Sequence, residues 1–261
     1  MPTWVVCVKQ TVDTEAPQIP LRDGHLDEAR VQFRLGEWEA AAISLAVTLK
    51  ETHGGEVVAV AVGPPRVNEA LRRSLALGAD RAYHVVADSA PLADPILAAE
   101  ALAGLLQGAL SGAFDLVLTG EQAEDDLASV VPFWLAGRLG LPCVWNVQRW
   151  VGLANGQAEM WREREGGVAE RVRVPLPAVV AVASGVAPPR YAPFKAVREA
   201  KTKPLATIPL PDLCAAPKAV WQEVAVFEPS SERDTTFLQG SPAEVAEALA
   251  GILREQLGGQ P

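Results

Sequence analysis

Three polar segments of the chain each follow an apolar run of strand length, and their residue types suit the binding of an anion. Lys9 and Asp13 follow the first run, Gly63 ends the second, and residues 120–129 follow the third and lead into a helical pattern. A lysine supplies positive charge, a glycine lets a phosphate approach the backbone, and the first turn of a helix offers free amide donors. The spacing predicts an anion-binding or nucleotide-binding edge, with ordinary polar loops as the alternative.

A proline-rich basic segment, 188–204, carries a second pattern. Positions 190–203 hold five basic residues and one acid, Glu199, in a chain whose net charge is −9. Prolines remove backbone donors, so the segment cannot continue a sheet. Long-range attraction combined with an apolar anchor suits docking onto an acidic protein, whereas a plain solvated loop is the alternative. The predicted docking residues are Arg190, Tyr191, Phe194, Lys195, Arg198 and Lys201.

The usual catalytic and metal-binding constellations do not stand out in this sequence. Cys7, Cys143 and Cys214 are odd in number and widely separated, with no CxxC spacing, which favours neither a disulfide framework nor structural zinc. His84 lies within an apolar run and is interpreted as a packed strand residue. With no Ser/His/Asp arrangement or Walker loop either, we predict no catalytic residues, no metal site and no self-sufficient enzyme.

A chain of 261 residues is long for one domain but allows one large α/β domain with an appended arm. Hydrophobic residues make up 49% of the chain, enough for a sizeable core. A pI near 5.0 argues against a general nucleic-acid binder. No basic leader opens the sequence, and no apolar run approaches the ~20 residues of a membrane span. We therefore expect a cytoplasmic protein that is not embedded in a membrane.

Apolar runs alternate with helical patterns through the first half of the chain. The predicted order is strand 4–8, helix 37–52, strand 57–62, a helix through Leu71–Leu77, strand 82–86, helix 94–110, strand 116–119 and a helix ending near Leu139. Strands buried on both faces and joined by helices predict a parallel sheet, which binds ligands at the carboxyl ends of its strands.

The pattern changes after Pro142. Three short strands, predicted at 144–151, 158–164 and 168–174, are separated by Asn155-Gly156 and Gly166-Gly167. Both dipeptides are hairpin signals, so an antiparallel meander is expected to lead back into a buried strand at 178–183.

The C-terminal part is predicted to be an arm. It is rich in proline, then offers a strand at 220–226 and a helix at 242–257 that starts at Ser241-Pro242 and ends at Gly258-Gly259. A lone strand and helix bury too little apolar surface to fold alone. The predicted organisation is an α/β domain over 1–188, a recognition loop over 189–204, and an arm over 205–261 that packs on a partner.

Four sequence blocks resemble the β subunit of electron transfer flavoproteins, and the resemblance covers about the first 205 residues. They are Pro189-Arg190-Tyr191-Ala192, the Leu-Ala-Leu-Gly-Ala-Asp-Arg-Ala string at 75–82, the distance from Gly120 to Leu139-Gly140-Leu141-Pro142, and the acid-Gly-Gly hairpin of block 162–181 with its following Glu170 and Pro177. In that family an apolar anchor in the recognition loop enters a pocket on partner dehydrogenases. Phe194 takes that position here.

The resemblance implies a Rossmann-like fold of the adenine nucleotide hydrolase-like type and a heterodimer with an α subunit that holds most of the FAD. Electrons would pass from acyl-CoA or similar dehydrogenases to the flavin and on towards the quinone pool. Family members also hold AMP, or a second FAD, near the loop that starts at Gly120. The implied cofactor-binding positions are Cys7, Lys9, Asp13, Gly36, Trp38, Val62, Gly63, Gly120, Gln122, Asp125 and Ser129.

The chain departs from the family pattern where AMP would bind. Val130 cannot hydrogen-bond a phosphate, Pro132 has no N–H, and Glu37 adds negative charge before the first helix. Thr14 stands where an aromatic residue often lies near the flavin. We therefore expect weak or absent AMP binding. Two other functions stay open, namely an AMP- or ATP-binding regulatory domain of the same architecture and a paralogue that serves only in assembly.

Overall fold

The computed structural model describes residues 1–87, 94–213, 223–229 and 235–257, and a nine-stranded sheet forms the centre of its first unit, Met1–Val226. In spatial order the strands are β11 (Val168–Pro175), β10 (Gln157–Arg164), β9 (Cys143–Ala154), β12 (Ala178–Val182), β8 (Leu116–Gly120), β1 (Thr3–Cys7), β6 (Glu56–Gly63), β7 (Arg81–Val86) and β13 (Leu205–Pro209). Two short pairs lie outside this sheet, β2 (Gln10–Val12) with β5 (Phe33–Leu35) and β3 (Leu21–Arg22) with β4 (His25–Leu26).

The strands from β9 through β12 to β13 are parallel neighbours, whereas β9, β10 and β11 form an antiparallel meander. The predicted parallel α/β sheet with a meander is therefore confirmed. Its helices are α1 (Glu37–His53), α2 (Asn68–Leu77), α3 (Pro95–Gln107), α4 (Val131–Leu139) and α5 (Phe194–Ala200).

The helices cover both faces of the sheet. Strand side chains alternate between faces, and β1 shows the result: Trp4 and Val6 join the core beneath α1 and α2, whereas Val5 and Cys7 join the core beneath α3 and α4. His84 is fully buried on β7 and its Nε2 donates to the Gly63 carbonyl at 2.8 Å, which confirms the interpretation as a packed strand residue.

The structure differs from the sequence-based prediction at three places after residue 188. Strand β13 pairs in parallel with β7, so residues 205–209 belong to the sheet and not to an arm. Helix α5 lies inside the segment predicted as a loop. The predicted strand at 220–226 is not found over the described residues 223–226, and its other three residues lie outside the described ranges. The prolines around β13 argued against a strand in the sequence. An edge strand such as β13 nevertheless tolerates proline at its end.

The second unit, Phe227–Pro261, contains helix α6 (Pro242–Leu257), as predicted. Ser241 and Glu244 close its start: the Glu244 carboxylate accepts from the Ser241 backbone N–H at 2.7 Å, and the Ser241 hydroxyl faces the Glu244 N–H at 3.5 Å. This reciprocal arrangement is a capping box. The predicted stop at Gly258-Gly259 and Cys214 lie outside the described residues.

Candidate functional site

The predicted anion-binding positions meet at one edge of the sheet. Strand β1 lies between β6 and β8 in parallel, so the carboxyl ends of all three point the same way. Lys9 lies just beyond β1, Gly63 ends β6 and Gly120 ends β8. Helix α1 begins at the same edge, where the Gly36 N–H donates to the Lys9 carbonyl at 3.3 Å. We call this region the carboxyl-edge corner.

Two glycines of this corner, Gly36 and Gly120, make room for side chains of α1. A Cβ atom at Gly36 would lie 2.0 Å from Glu39 Oε2, and one at Gly120 would lie 2.7 Å from the Trp38 Cβ. At Gly120 the obstacle is a Cβ atom close to the helix backbone, so a side chain there would force α1 to move, whereas at Gly36 the Glu39 carboxylate would have to shift. The space expected for a ligand's phosphate at Gly120 is thus occupied by Trp38.

Glu124, which the sequence analysis missed, holds the start of α1. Its Oε1 accepts the Glu37 backbone N–H at 2.8 Å, while its Oε2 accepts from Arg34 Nε at 3.2 Å and from the Thr11 hydroxyl at 3.3 Å. Only 5% of the Glu124 side chain is exposed. A carboxylate is favourable here because the first turn of a helix carries partial positive charge and unpaired amides.

Lys9 is clamped by the two acids that follow Glu124. Its Nζ lies 2.7 Å from Asp125 Oδ1 and 2.8 Å from Asp126 Oδ2. Burial by itself lowers the pKa of Lys9, but attraction and hydrogen bonding from the two carboxylates outweigh it and raise that pKa above its ordinary value. The predicted positions Lys9 and Asp125 do meet, but as partners of each other.

Asp13 also pairs within the chain. Its Oδ1 accepts the Glu15 backbone N–H at 3.1 Å and lies 3.5 Å from Arg34 Nε. Arg34 additionally donates to Glu15 Oε2 at 3.0 Å, besides its bond to Glu124. This arginine therefore forms ion pairs with three acids around β2 and β5.

Glu39 is buried beneath the corner, 5% exposed, and its Oε2 has no hydrogen-bond partner among the described residues. Burial raises the pKa of Glu39 to about 8, against lowering contributions from its own backbone hydrogen bond and from Lys9. Burial, with a contribution from Glu39, also raises the pKa of the Cys7 thiol to about 12. The Cys7 side chain is a core group of the α3/α4 face, so a ligand at the corner could meet only its backbone.

Trp38 and Glu121 link α1 to the loop after β8. Trp38 Nε1 donates to Glu121 Oε1 at 3.2 Å, and the Glu121 backbone N–H donates to the Val182 carbonyl at 3.0 Å. The pKa of Glu121 is raised above its ordinary value because the effect of burial outweighs the lowering effect of the hydrogen bond from Trp38. The predicted positions Val62 and Gln122 are half-buried close to these strand ends.

The predicted residue Ser129 lies at a different surface. It lines a shallow apolar groove of about 520 Å³ on α4, together with Val130, Phe133, Trp134, Gly137 and Arg138. Phe133 is 50% exposed, and the Trp134 indole donates to Glu100 Oε1 at 2.7 Å. Pro132 is buried at the start of the helix, where it supplies no N–H.

The predicted docking segment, 189–204, is fastened to the helices beneath it. Arg190 holds Glu51 of α1 through two hydrogen bonds of 2.9 and 2.6 Å and also donates to the Thr48 hydroxyl at 3.1 Å. The bond from Arg190 is the main cause of a lowered pKa at Glu51. Ala192 and Ala200 are buried at either end of the segment.

Two further cations fasten the C-terminal part of the segment. Arg72 of α2 donates to the carbonyls of Ala200 and Lys203 at 2.7 and 2.8 Å. Lys203 donates in return to the carbonyls of Leu75 and Ala79, at 2.9 and 2.6 Å, where α2 ends. A cation at a helix C-terminus satisfies carbonyls that have no intrahelical partner.

The outer surface of the segment carries exposed aromatic and basic side chains. Tyr191 is 84% exposed and Phe194 77% exposed. Lys195, Arg198 and Lys201 are exposed as well, and Lys195 lies 3.7 Å from Glu199. Arg198 and Lys201 form no ion pair with any described residue. Of the predicted docking residues only Arg190 is turned inward.

Sequence reasoning found the corner but missed the residues that close it, Arg34, Glu39 and Glu124. The only available signal was the run of acids at 121–126 directly after a predicted strand, where a phosphate-binding loop would place neutral donors. Within the described ranges, none of the helices has the length and apolar character needed to cross a bilayer.

Comparison with known proteins identifies the family. The profile of the electron transfer flavoprotein domain matches residues 23–213. A protein of Syntrophomonas wolfei named electron transfer flavoprotein subunit beta is 37% identical over 250 residues, which cover 94% of this chain and 93% of the relative. Proteins of the same name from Bacillus subtilis and Methylophilus methylotrophus are each 32% identical, over 96% of this chain and 97% of their own. The chain therefore belongs to the β-subunit family of the electron transfer flavoproteins.

Proposed function

We propose that this chain is the small subunit of a heterodimeric electron transfer flavoprotein that accepts electrons from acyl-CoA or similar dehydrogenases and passes them towards the quinone pool. The observation that carries the proposal is the pair of exposed aromatic side chains, Tyr191 and Phe194, on a segment fastened from below. Large exposed apolar groups are costly in water and mark surfaces that contact a partner.

The fastening supports a docking role because it lowers the entropic cost of binding. Arg190, Arg72 and Lys203 hold the backbone of the segment before any partner arrives. A pre-organised anchor loses less conformational freedom on association than a flexible loop would. Aromatic anchors of this kind commonly carry much of the binding energy of an interface.

The charge of the segment supports an acidic partner. Lys195, Arg198 and Lys201 are exposed on a chain whose net charge is −9. A local basic surface on an acidic protein orients the approach of a negatively charged partner and raises the association rate. The same charges would lose their effect at high salt.

The bound FAD would supply the one-electron and two-electron chemistry, while the proteins position and enclose it. In this chain the groups able to bind the FAD pyrophosphate at the carboxyl-edge corner are already bonded: Lys9 to Asp125 and Asp126, and the Glu37 N–H to Glu124. The corner does not fit a pyrophosphate. This supports a division in which the α subunit holds most of the FAD and this chain encloses one side.

An α subunit would also cover apolar surface on this chain. Leu127 and Phe133 are 61% and 50% exposed near the α4 groove. In the second unit, helix α6 exposes Leu249, Ile252 and Leu253 on positions that share one helical face. Both surfaces suit burial against another protein. The arm that we propose to pack on the α subunit begins after β13.

Two other functions are less well supported. A regulatory domain that senses AMP or ATP needs a phosphate site, and the corner is lined by paired acids. A paralogue used only in assembly has no need for the exposed Tyr191 and Phe194. An adjacent gene for an α subunit would favour the electron carrier over the regulatory domain.

Flavin content tests the division of labour. The chain purified alone should be colourless, whereas the chain purified with an α subunit should show stoichiometric FAD in its visible spectrum. A yellow isolated chain would contradict the division, and a complex without FAD would contradict the electron-carrier function.

Dehydrogenase-driven reduction of that FAD tests the docking surface. Phe194→Ala should slow reduction at low complex concentration, and the control Val168→Ala should not. Val168 is 55% exposed on β11, at the opposite edge of the sheet from β13. Equal rates for both variants would exclude Phe194 as the anchor.

A further inference from the structure

The carboxyl-edge corner has the parts of an anion site. It combines the N-terminal turn of α1 with Lys9, Arg34 and the Thr11 hydroxyl, all beside the carboxyl ends of parallel strands. Helix N-termini and strand ends of this kind bind phosphates in many α/β proteins. The Glu37 N–H of that turn, Lys9, Arg34 and the Thr11 hydroxyl nevertheless each have a partner within the chain.

Three consecutive carboxylates supply those partners. The Glu124 carboxylate accepts hydrogen bonds from the Glu37 N–H at 2.8 Å, from Arg34 at 3.2 Å and from Thr11 at 3.3 Å. Asp125 and Asp126 take Lys9 at 2.7 and 2.8 Å. An incoming phosphate would have to replace these short charge-assisted bonds, so it would gain little net interaction.

Glu39 fills further space in the corner. Glu39 is 5% exposed, and its Oε2 lies 2.0 Å from the position that a Cβ of Gly36 would take, without a hydrogen-bond partner among the described residues. Trp38 closes the space against Gly120. The space and the donors are thus both taken.

We propose that the loop Glu124–Asp126 is an internal plug whose carboxylates occupy an anion site and exclude phosphate groups, including that of AMP. The loop replaces the ligand in stabilising the start of α1. The chain then needs no bound nucleotide at this corner to complete its fold. This inference does not depend on the electron-carrier function and is tested on the full chain.

The test compares calorimetric binding of AMP and of inorganic phosphate to three proteins. The first is the wild type, the second carries Glu124→Ala, Asp125→Ala and Asp126→Ala, and the third is a charge-matched control with Glu165→Ala, Glu247→Ala and Glu255→Ala at exposed positions. If the loop is a plug, neither the wild type nor the control protein should show a heat of binding at millimolar ligand. The plug variant should bind AMP at least about tenfold more tightly than the wild type.

The two ligands distinguish a nucleotide site from a simple anion site. Gain of both phosphate and AMP binding with similar affinity supports a plug over an anion site, and preferential gain of AMP supports a plug over a nucleotide site. Wild-type binding of AMP as tight as that of the plug variant would overturn the proposal. So would a folded plug variant that binds neither ligand.

A second variant guards against misfolding. Glu124→Gln, Asp125→Asn and Asp126→Asn keep the shape of the loop and remove its charge, so the fold should survive and AMP binding should still rise. Adding Lys9→Met to this variant should abolish the gain, because Lys9 would then be the cation freed for the phosphate. Binding that is unaffected by Lys9→Met would place the ligand elsewhere and refute the plug.

Discussion

The carboxyl-edge corner and the docking segment 189–204 both hold several cations, but they use them in opposite ways. In the corner, Lys9 and Arg34 are paired with acids on the same chain at 2.7 to 3.5 Å. In the segment, Arg198 and Lys201 have no ion-pair partner within the described ranges. Paired charges stabilise a local fold, whereas unpaired charges on a fastened surface are available to another molecule.

The aromatic residues of the two regions differ in the same way. Trp38 fills space against Gly120 and donates to Glu121, so its surface is used inside the chain. Phe194 has no such role, with 77% of its surface exposed. Position in the fold therefore separates a structural aromatic residue from a candidate anchor more sharply than residue type does.

The largest expected effect is on partner binding. Phe194→Ala should cost about 2–4 kcal/mol of affinity for the dehydrogenase, mainly through faster dissociation, as buried aromatic anchors do. Surface plasmon resonance with the FAD-loaded complex measures both rates. Thermal stability should stay unchanged because the side chain is exposed. If the variant loses thermal stability but binds its partner normally, Phe194 stabilises the fold and is not an anchor, and the contrast with the corner does not hold.

A smaller effect is expected in the corner. Glu124→Ala should lower the free energy of unfolding by about 2 kcal/mol, since it removes the partner of a helix N-terminus and leaves Arg34 with fewer bonds. Urea denaturation measures the change, and Glu165→Ala on the exposed surface is the matched control. Unchanged stability would mean that Glu124 does not replace a ligand at the start of α1.

Glu39→Gln should flatten the pH dependence of stability. The pKa of Glu39 is raised to about 8 in the folded chain from an ordinary value of 4.5, so the native state binds the proton more tightly. The resulting stability is full below about pH 4.5 and is lost as the pH rises through about 8. Denaturant unfolding across this pH range should show that the free energy of unfolding of the variant rises relative to that of the wild type as the pH increases. Parallel curves would place the Glu39 carboxyl in water.

The smallest effect concerns association rate. Lys201→Glu should slow binding to an acidic dehydrogenase, and the loss should shrink as salt rises because screening removes long-range attraction. Stopped-flow association at increasing ionic strength measures both. A salt-independent loss would indicate a direct contact at Lys201. No loss at all would mean that the basic surface does not orient the partner.

Much of the fold follows from local pattern. Buried runs such as β6 and β8 contain β-branched and apolar residues that must leave water on both faces, so their alternation with helices predicted a parallel sheet. Asn155-Gly156 likewise predicted the turn between β9 and β10, because both positions favour positive φ. Strand β13 escaped prediction because its pairing depends on β7, which is distant in the chain.

The sequence by itself determined the family, the parallel sheet and the places where anion-binding and docking residues stand along the chain. Only the tertiary structure decided how those residues are used. Lys9 and Asp125 are 116 positions apart, and whether a lysine meets a ligand or its own chain's acid depends on contacts across that distance. Arg190 shows the same in the docking segment, where its bond to Glu51 turns a predicted surface cation into a support. The sequence sets which side chains are charged, but the fold determines which group each charged side chain pairs with.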